Sequence, residues 1–94
     1  MATILTLEEG KKAIRDLSAD DSTVTDLITG ADEAVANYLG YELDEFESIP
    51  YAIKNAAKLY CAANYEYTLP SVWLDDFYRL LYPYRHIPVD VEEE

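Results

Sequence analysis

The residues Val24, Leu27, Ile28, Ala31, Ala34, Val35, Tyr38 and Leu39 recur at steps of three and four and stop at Gly40. Only an α-helix gathers that spacing into one continuous apolar face, so the chain must bury at least one long amphipathic helix. A glycine just past the last periodic residue suits a helix stop. Asp26, Asp32, Glu33 and Asn37 fall on the other side and are expected in solvent. Gly30 interrupts the run at a cost of up to about 1 kcal/mol against Ala. Either a close helix crossing compensates for it or the helix is weak there.

The rest of the chain divides around this helix. Thr6-Leu7-Glu8-Glu9 has the form of a capping box, with Lys11, Lys12 and Arg15 following toward the negative end of the dipole. It opens a first helix from about Leu7 to Leu17, with Leu7, Ile14 and Leu17 on one side. Ser18 to Ser22 is a polar break. Tyr41 to Ser48 is acidic and irregular, as a solvated loop is. Its carboxylates lack the glycine turn and ligand order of a calcium loop. Ile49-Pro50 starts a third helix, since proline is tolerated where the amide has no helical partner. Here Ile53, Ala56, Ala57, Tyr60 and Cys61 form one apolar stripe, and Ala52, Leu59 and Ala63 a second. A helix apolar on two sides is packed on two sides. It is central to its own domain, or shared between the core and a neighbouring copy. Tyr51, Lys54, Asn55, Lys58 and Tyr65 mark its remaining side. After a break at Thr68 to Ser71, Trp73, Phe77, Leu80, Leu81 and Tyr84 make a short fourth helix that Pro83 ends. Asp75, Asp76 and Arg79 face outward.

These elements define an all-α fold: a small bundle of about four helices with an extended C-terminal tail. Its 94 residues suffice for one domain. Residues 1–85 form the helical domain and residues 86–94 the acidic tail. Ile87, Val89 and Val91 would share one face of an extended tail. Nine tyrosines are many for this length. Some cap a small core, and others suit half-wet interfaces, where a ring with a polar tip is useful.

The same residues exclude most chemistry. The net charge of −12 and only seven Lys and Arg leave too little cation to neutralise phosphates, so ordinary DNA binding is not expected. An acidic chain suits solubility, a basic partner, or a lumen through which DNA slides. His86 is the single histidine, and one Cys with one His cannot make a zinc site. Three scattered glycines form no phosphate loop. Cys61 sits among apolar neighbours and reads as a small buried hydrophobe. No catalytic residue, metal or cofactor is expected. No leader pattern and no apolar run of membrane-spanning length occurs, which fits synthesis in the cytoplasm and no membrane partner.

The order of the pieces resembles a known family. Thr6-Leu7-Glu8-Glu9 with Lys11 is followed by Asp26 to Ala31 and by Val35-Ala36-Asn37-Tyr38-Leu39-Gly40. Ile49 to Ala56, Leu59-Tyr60 and Asn64-Tyr65-Glu66 come next, and Leu80-Leu81-Tyr82-Pro83-Tyr84-Arg85 closes. Jointly, over about residues 5 to 85, they resemble the gp6-like head–tail connector (adaptor) proteins of tailed bacteriophages. The resemblance implies a ring of copies, usually twelve, set beneath the portal protein in the virion neck. Such a ring extends the DNA channel and offers a surface to a stopper or tail-completion protein. Two features depart from the pattern: the link between the second and third helices is short and acidic, and the tail beyond Arg85 varies within the family.

A ring needs two different patches that meet head to tail. The side of the third helix bearing Tyr51, Lys54, Lys58, Leu59, Ala63 and Tyr65 is the candidate subunit interface, and Ile87, Val89 and Val91 are candidates for docking the portal. Two other classes remain compatible with the composition. An acidic mimic of DNA would explain the charge but not the two apolar sides of the third helix. A small helical regulatory module binding a basic partner would explain the fold but not the order of motifs.

Overall fold

A computed structural model describes residues 3–40, 46 and 48–85. The described residues are all helix and connection: α1 (Leu7–Ala13), α2 (Asp21–Leu39), α3 (Tyr51–Tyr65), α4 (Pro70–Leu81) and a single 3-10 turn, Tyr82–Tyr84. The acidic segment 41–45, Glu47, and the whole segment 86–94 with Ile87, Val89 and Val91 lie outside them.

Each helix begins as its local chemistry directs. At α1 the capping box is complete. The Glu9 N–H donates to Thr6 Oγ1 at 3.1 Å and the Thr6 N–H to Glu9 Oε1 at 2.9 Å. That backbone donor holds the Glu9 carboxyl below its ordinary pKa. Pro50 is the residue just before α3, and its carbonyl accepts from the Ile53 and Lys54 amides. Pro70 belongs to the first turn of α4, so the break expected at Thr68 to Ser71 is shorter than the composition suggests.

The helix ends are less legible. Gly40 stops α2 with φ of 87°. Helix α1 ends at Ala13, short of the expected Leu17, because Arg15 takes φ of 61°. The Asp16 N–H then reaches back to Lys11 O and the Arg15 N–H to Lys12 O, each at 3.1 Å. This is the Schellman arrangement, which satisfies the last carbonyls of a helix. Helix α3 closes in the same way: Tyr67 has φ of 56°, Thr68 N–H donates to Ala63 O at 2.7 Å and Tyr67 N–H to Asn64 O at 3.3 Å. Both left-handed positions carry side chains where glycine is usual. With α1 stopped early, Leu17 leaves the core and is exposed, and Leu7 is partly exposed.

Helix α3 is the centre of the bundle and packs on α1, α2 and α4. Ala56, Ala57 and Cys61 are buried with Ala31 and Val35 of α2. Gly30 leaves room at this crossing: a Cβ on it would lie 2.8 Å from the Tyr60 hydroxyl oxygen. The interruption in α2 is therefore a seat for the Tyr60 ring. Tyr60 meets Trp73 edge-on at 5.8 Å, which ties the same crossing to α4. Trp73, Phe77 and Leu81 bury the inner face of α4 as the spacing requires. Phe46 packs edge-on to Tyr84 at 6.3 Å.

On the opposite flank of α2, α1 crosses at Gly10, where an added Cβ would stand 2.8 Å from Ile28 Cδ1 and 2.9 Å from Val24 Cγ1. Ahead of it, Ile4 and Leu5 are fully buried core residues that helical periodicity does not reveal. Asp32 corrects the sequence reading: it is buried, not in solvent, and its Oδ1 accepts the Ile4 N–H at 3.0 Å. The reason is local. An extended segment has no helical partner for its amide, and a buried amide needs an acceptor.

Two substitutions test this packing. Gly10→Ala is expected to destabilise by about 1–3 kcal/mol, since both blocking atoms belong to packed core side chains. Arg15→Gly is expected to stabilise by up to about 1 kcal/mol through relief of the left-handed backbone. Urea denaturation followed by circular dichroism reads both.

Candidate interaction surfaces

The six α3 residues singled out from the sequence divide into two groups. Ala63 is buried within the chain at 5 % exposure, and Leu59 packs half-buried against the core. Helix phase puts both on the flank of α3 that faces α4, where Ala63 is closed off within the chain and Leu59, like Ala52, is only partly covered. Helix α3 is central to its own bundle. The other four line the outer side. Tyr51 is 71 % exposed, and the Lys58 ammonium stands 5.9 Å from its ring centroid. Lys54 Nζ approaches Glu9 of α1 at 3.5 Å. Tyr65 donates its hydroxyl to Asp16 Oδ2 at 2.7 Å, joining the end of α3 to the α1–α2 connection. That donor lowers the Asp16 carboxyl, with help from Ser18, and raises the Tyr65 phenol.

A groove of about 350 Å³ runs between α2 and α4 with Tyr60 at its floor. Ala34 and Tyr38 form one wall, and Trp73, Phe77 and Tyr78 the other. Tyr38 and Tyr78 stack across it at 4.7 Å. The Arg85 guanidinium lies 5.0 Å from the Tyr38 ring centroid, and its Nε donates to Tyr38 O at 3.2 Å. A cation at the carbonyl end of α2 is favoured by the helix dipole. Arg85 thus anchors the closing motif to α2, a role that needed the three-dimensional placement to be seen.

Two buried titratable groups sit at the α2–α3 crossing. Burial raises the Asp32 carboxyl above its ordinary pKa, opposed by the Ile4 amide. Burial, and then the Asp32 charge, pushes the Cys61 thiol up to about 12. A thiol so protonated is not a nucleophile at neutral pH. Among the described residues no three His, Cys, Asp or Glu side chains are gathered as metal ligands, and no helix is long and apolar enough to cross a membrane.

The fold is therefore a small helical bundle whose surface presents rings, carboxylates and cations around a buried core. The chain matches the model of the phage gp6-like head-tail connector protein family over residues 4–85, and it belongs to that family. No curated protein and no solved structure matches it.

Cys61 is expected to resist alkylation in the folded protein at pH 8 and to react on unfolding, as mass spectrometry after iodoacetamide would show. Asp32 predicts a pH effect of definite sign. Its raised folded pKa means that the native state holds the proton more tightly than the unfolded chain. Its contribution to stability is present below the ordinary Asp range and is lost as pH rises through the folded value. Asp32→Asn keeps an oxygen for the Ile4 amide and removes the charge. The variant's melting temperature relative to wild type is expected to be higher at pH 7 than at pH 3.

Proposed function

We propose that this chain is a structural head–tail connector that assembles with copies of itself, about twelve, into a ring beneath the portal protein. The ring extends the DNA channel in the virion neck and receives a stopper or tail-completion protein. The observation that carries the proposal is the family match, which spans α1 to Arg85 and so covers every described element. The chemistry is compatible with it. A net charge of −12 gives passing DNA few counterion-releasing contacts. The role is one of assembly, not catalysis.

The subunit contact is assigned to the outer side of α3, with Tyr51 and Lys58 at its centre and Lys54 and Tyr65 at its margins. Tyr51 is a large ring that the fold leaves in solvent, and rings of this kind concentrate contact energy at interfaces. The segment containing Ile87, Val89 and Val91 is assigned to portal docking because alternating apolar residues can add an edge to a partner's sheet.

Sedimentation velocity and negative-stain imaging of the purified chain test the ring. Tyr51→Asp with Lys58→Glu is expected to weaken self-association at least tenfold with little change in melting temperature. Ala63→Glu is expected to destabilise the monomer itself, by about 3 kcal/mol or more, because it buries an unpaired charge. A monomer at all concentrations and no attachment to DNA-filled, portal-bearing heads would sink the proposal. Deletion of residues 87–94 separates the docking role, since it is expected to leave folding intact and abolish attachment.

A further inference from the structure

One end of the bundle carries apolar side chains that the fold does not use. Tyr67 is 91 % exposed, Leu69 68 % and Val72 66 %, all within the α3–α4 connection and the first turn of α4. Leu17, 66 % exposed, lies in the α1–α2 connection, which the Tyr65–Asp16 hydrogen bond holds to the same end. This end is built, not frayed. The Schellman closures of α1 and α3 both lie here, and Trp73 Nε1 donates to Thr68 O at 3.3 Å beneath the turn. Tyr67 is the most telling residue. It occupies a left-handed backbone position that glycine would fill without strain, and its ring is almost wholly in water. The fold gains nothing from a tyrosine there, and an observed backbone outlier points toward function.

The charges around the patch say what covers it. Asp16 and Asp20 share the α1–α2 connection with Leu17, Glu66 immediately precedes Tyr67, Asp75 follows Val72 by about one turn of α4, and Asp21 takes up Lys11 at 2.7 Å. Arg15 is the one cation at this end without an ion pair among the described residues. Two such ends repel each other. The other six cations of the chain each already meet an acid or a ring within it. An anionic membrane or nucleic acid would be repelled by the same carboxylates.

We infer that the Tyr67 end is a docking surface for a different protein, one that presents an apolar patch rimmed by Lys and Arg. Tyr67, Leu69 and Val72 supply the apolar centre, and the surrounding carboxylates set orientation and on-rate. The inference rests on the connector reading only in taking this partner to be a component stacked on the ring. It places that contact on an end distinct from the outer side of α3.

The test uses the intact chain and three synthetic peptides: an amphipathic Leu/Lys helix, a Lys/Ser peptide of equal charge and a Leu/Glu helix. The Leu/Lys helix is expected to shift the amide resonances of Leu17, Tyr67, Leu69 and Val72 in heteronuclear NMR. The other two should bind at least tenfold more weakly. Tyr67→Gly is expected to melt at or above the wild-type temperature, and Tyr67→Gly with Leu69→Ser to reduce Leu/Lys binding at least tenfold. Equal binding of the Lys/Ser peptide, shifts confined to another face, a dimer lost on Tyr67→Gly, or a lower melting temperature in that variant would each overturn the inference. Ring formation is read separately by sedimentation. A ring that forms while the double variant still binds the Leu/Lys helix defeats this inference and leaves the connector reading standing. Wild-type binding lost in the double variant, with no ring, does the reverse.

Discussion

The crossing of α2 and α3 is the contact on which the rest of the bundle depends. Its faces carry the small buried residues Ala31, Ala56, Ala57 and Cys61, and Gly30 leaves room for the Tyr60 ring. Small residues bury little apolar area by themselves. The crossing is stabilised by what it allows to dock: the Tyr60 ring over Gly30, and through it Trp73 and Phe77 of α4. Full burial of side chains such as Phe77 and Leu81 contributes about 1.5–3 kcal/mol each, a large share of the stability a domain of this size can hold. On the other flank the same helix pair receives α1 at Gly10 and the extended residues before it at Asp32. Widening the crossing would displace both flanks together.

The buried core and the exposed apolar side chains are separated in space within this architecture. The middle of the bundle is closed, with its thiol protonated and its buried carboxylate engaged by a backbone amide. Among the described residues the most exposed large apolar side chains are Tyr67 in the α3–α4 turn and Tyr51 on the outer side of α3. Substitutions at these exposed positions can therefore be made without disturbing the core.

Much of the bundle could be read in the residue order, because its long helices obey simple rules. The periodicity of α2, the Thr6–Glu9 box and the Gly40 stop are local patterns, and the structure reproduces them. The inner face of α4 was equally plain from Trp73, Phe77 and Leu81. What escaped were features set by tertiary placement. Asp32 looks like a solvated acid until the Ile4 amide is beside it. Arg15 and Tyr67 stop their helices in backbone conformations that neither residue type signals. Of the candidate interface on α3, the exposure of Tyr51 follows from helix phase, whereas the burial of Ala63 depends on where α4 lies. The Tyr67 end was illegible for the same reason, since two connections distant in sequence form it.

Arg85 gives the chain's exit a mechanical character. It is joined covalently to α4 through the turn Tyr82–Tyr84, and it grips the end of α2 through the Tyr38 carbonyl and ring. A pull on the segment that follows is therefore divided between two helices at once. Tyr38 and Tyr78 stack between those same helices across the groove. A strain applied beyond Arg85 is thus delivered to the body of the bundle, and peeling of α4 alone must first break the Arg85 grip on α2.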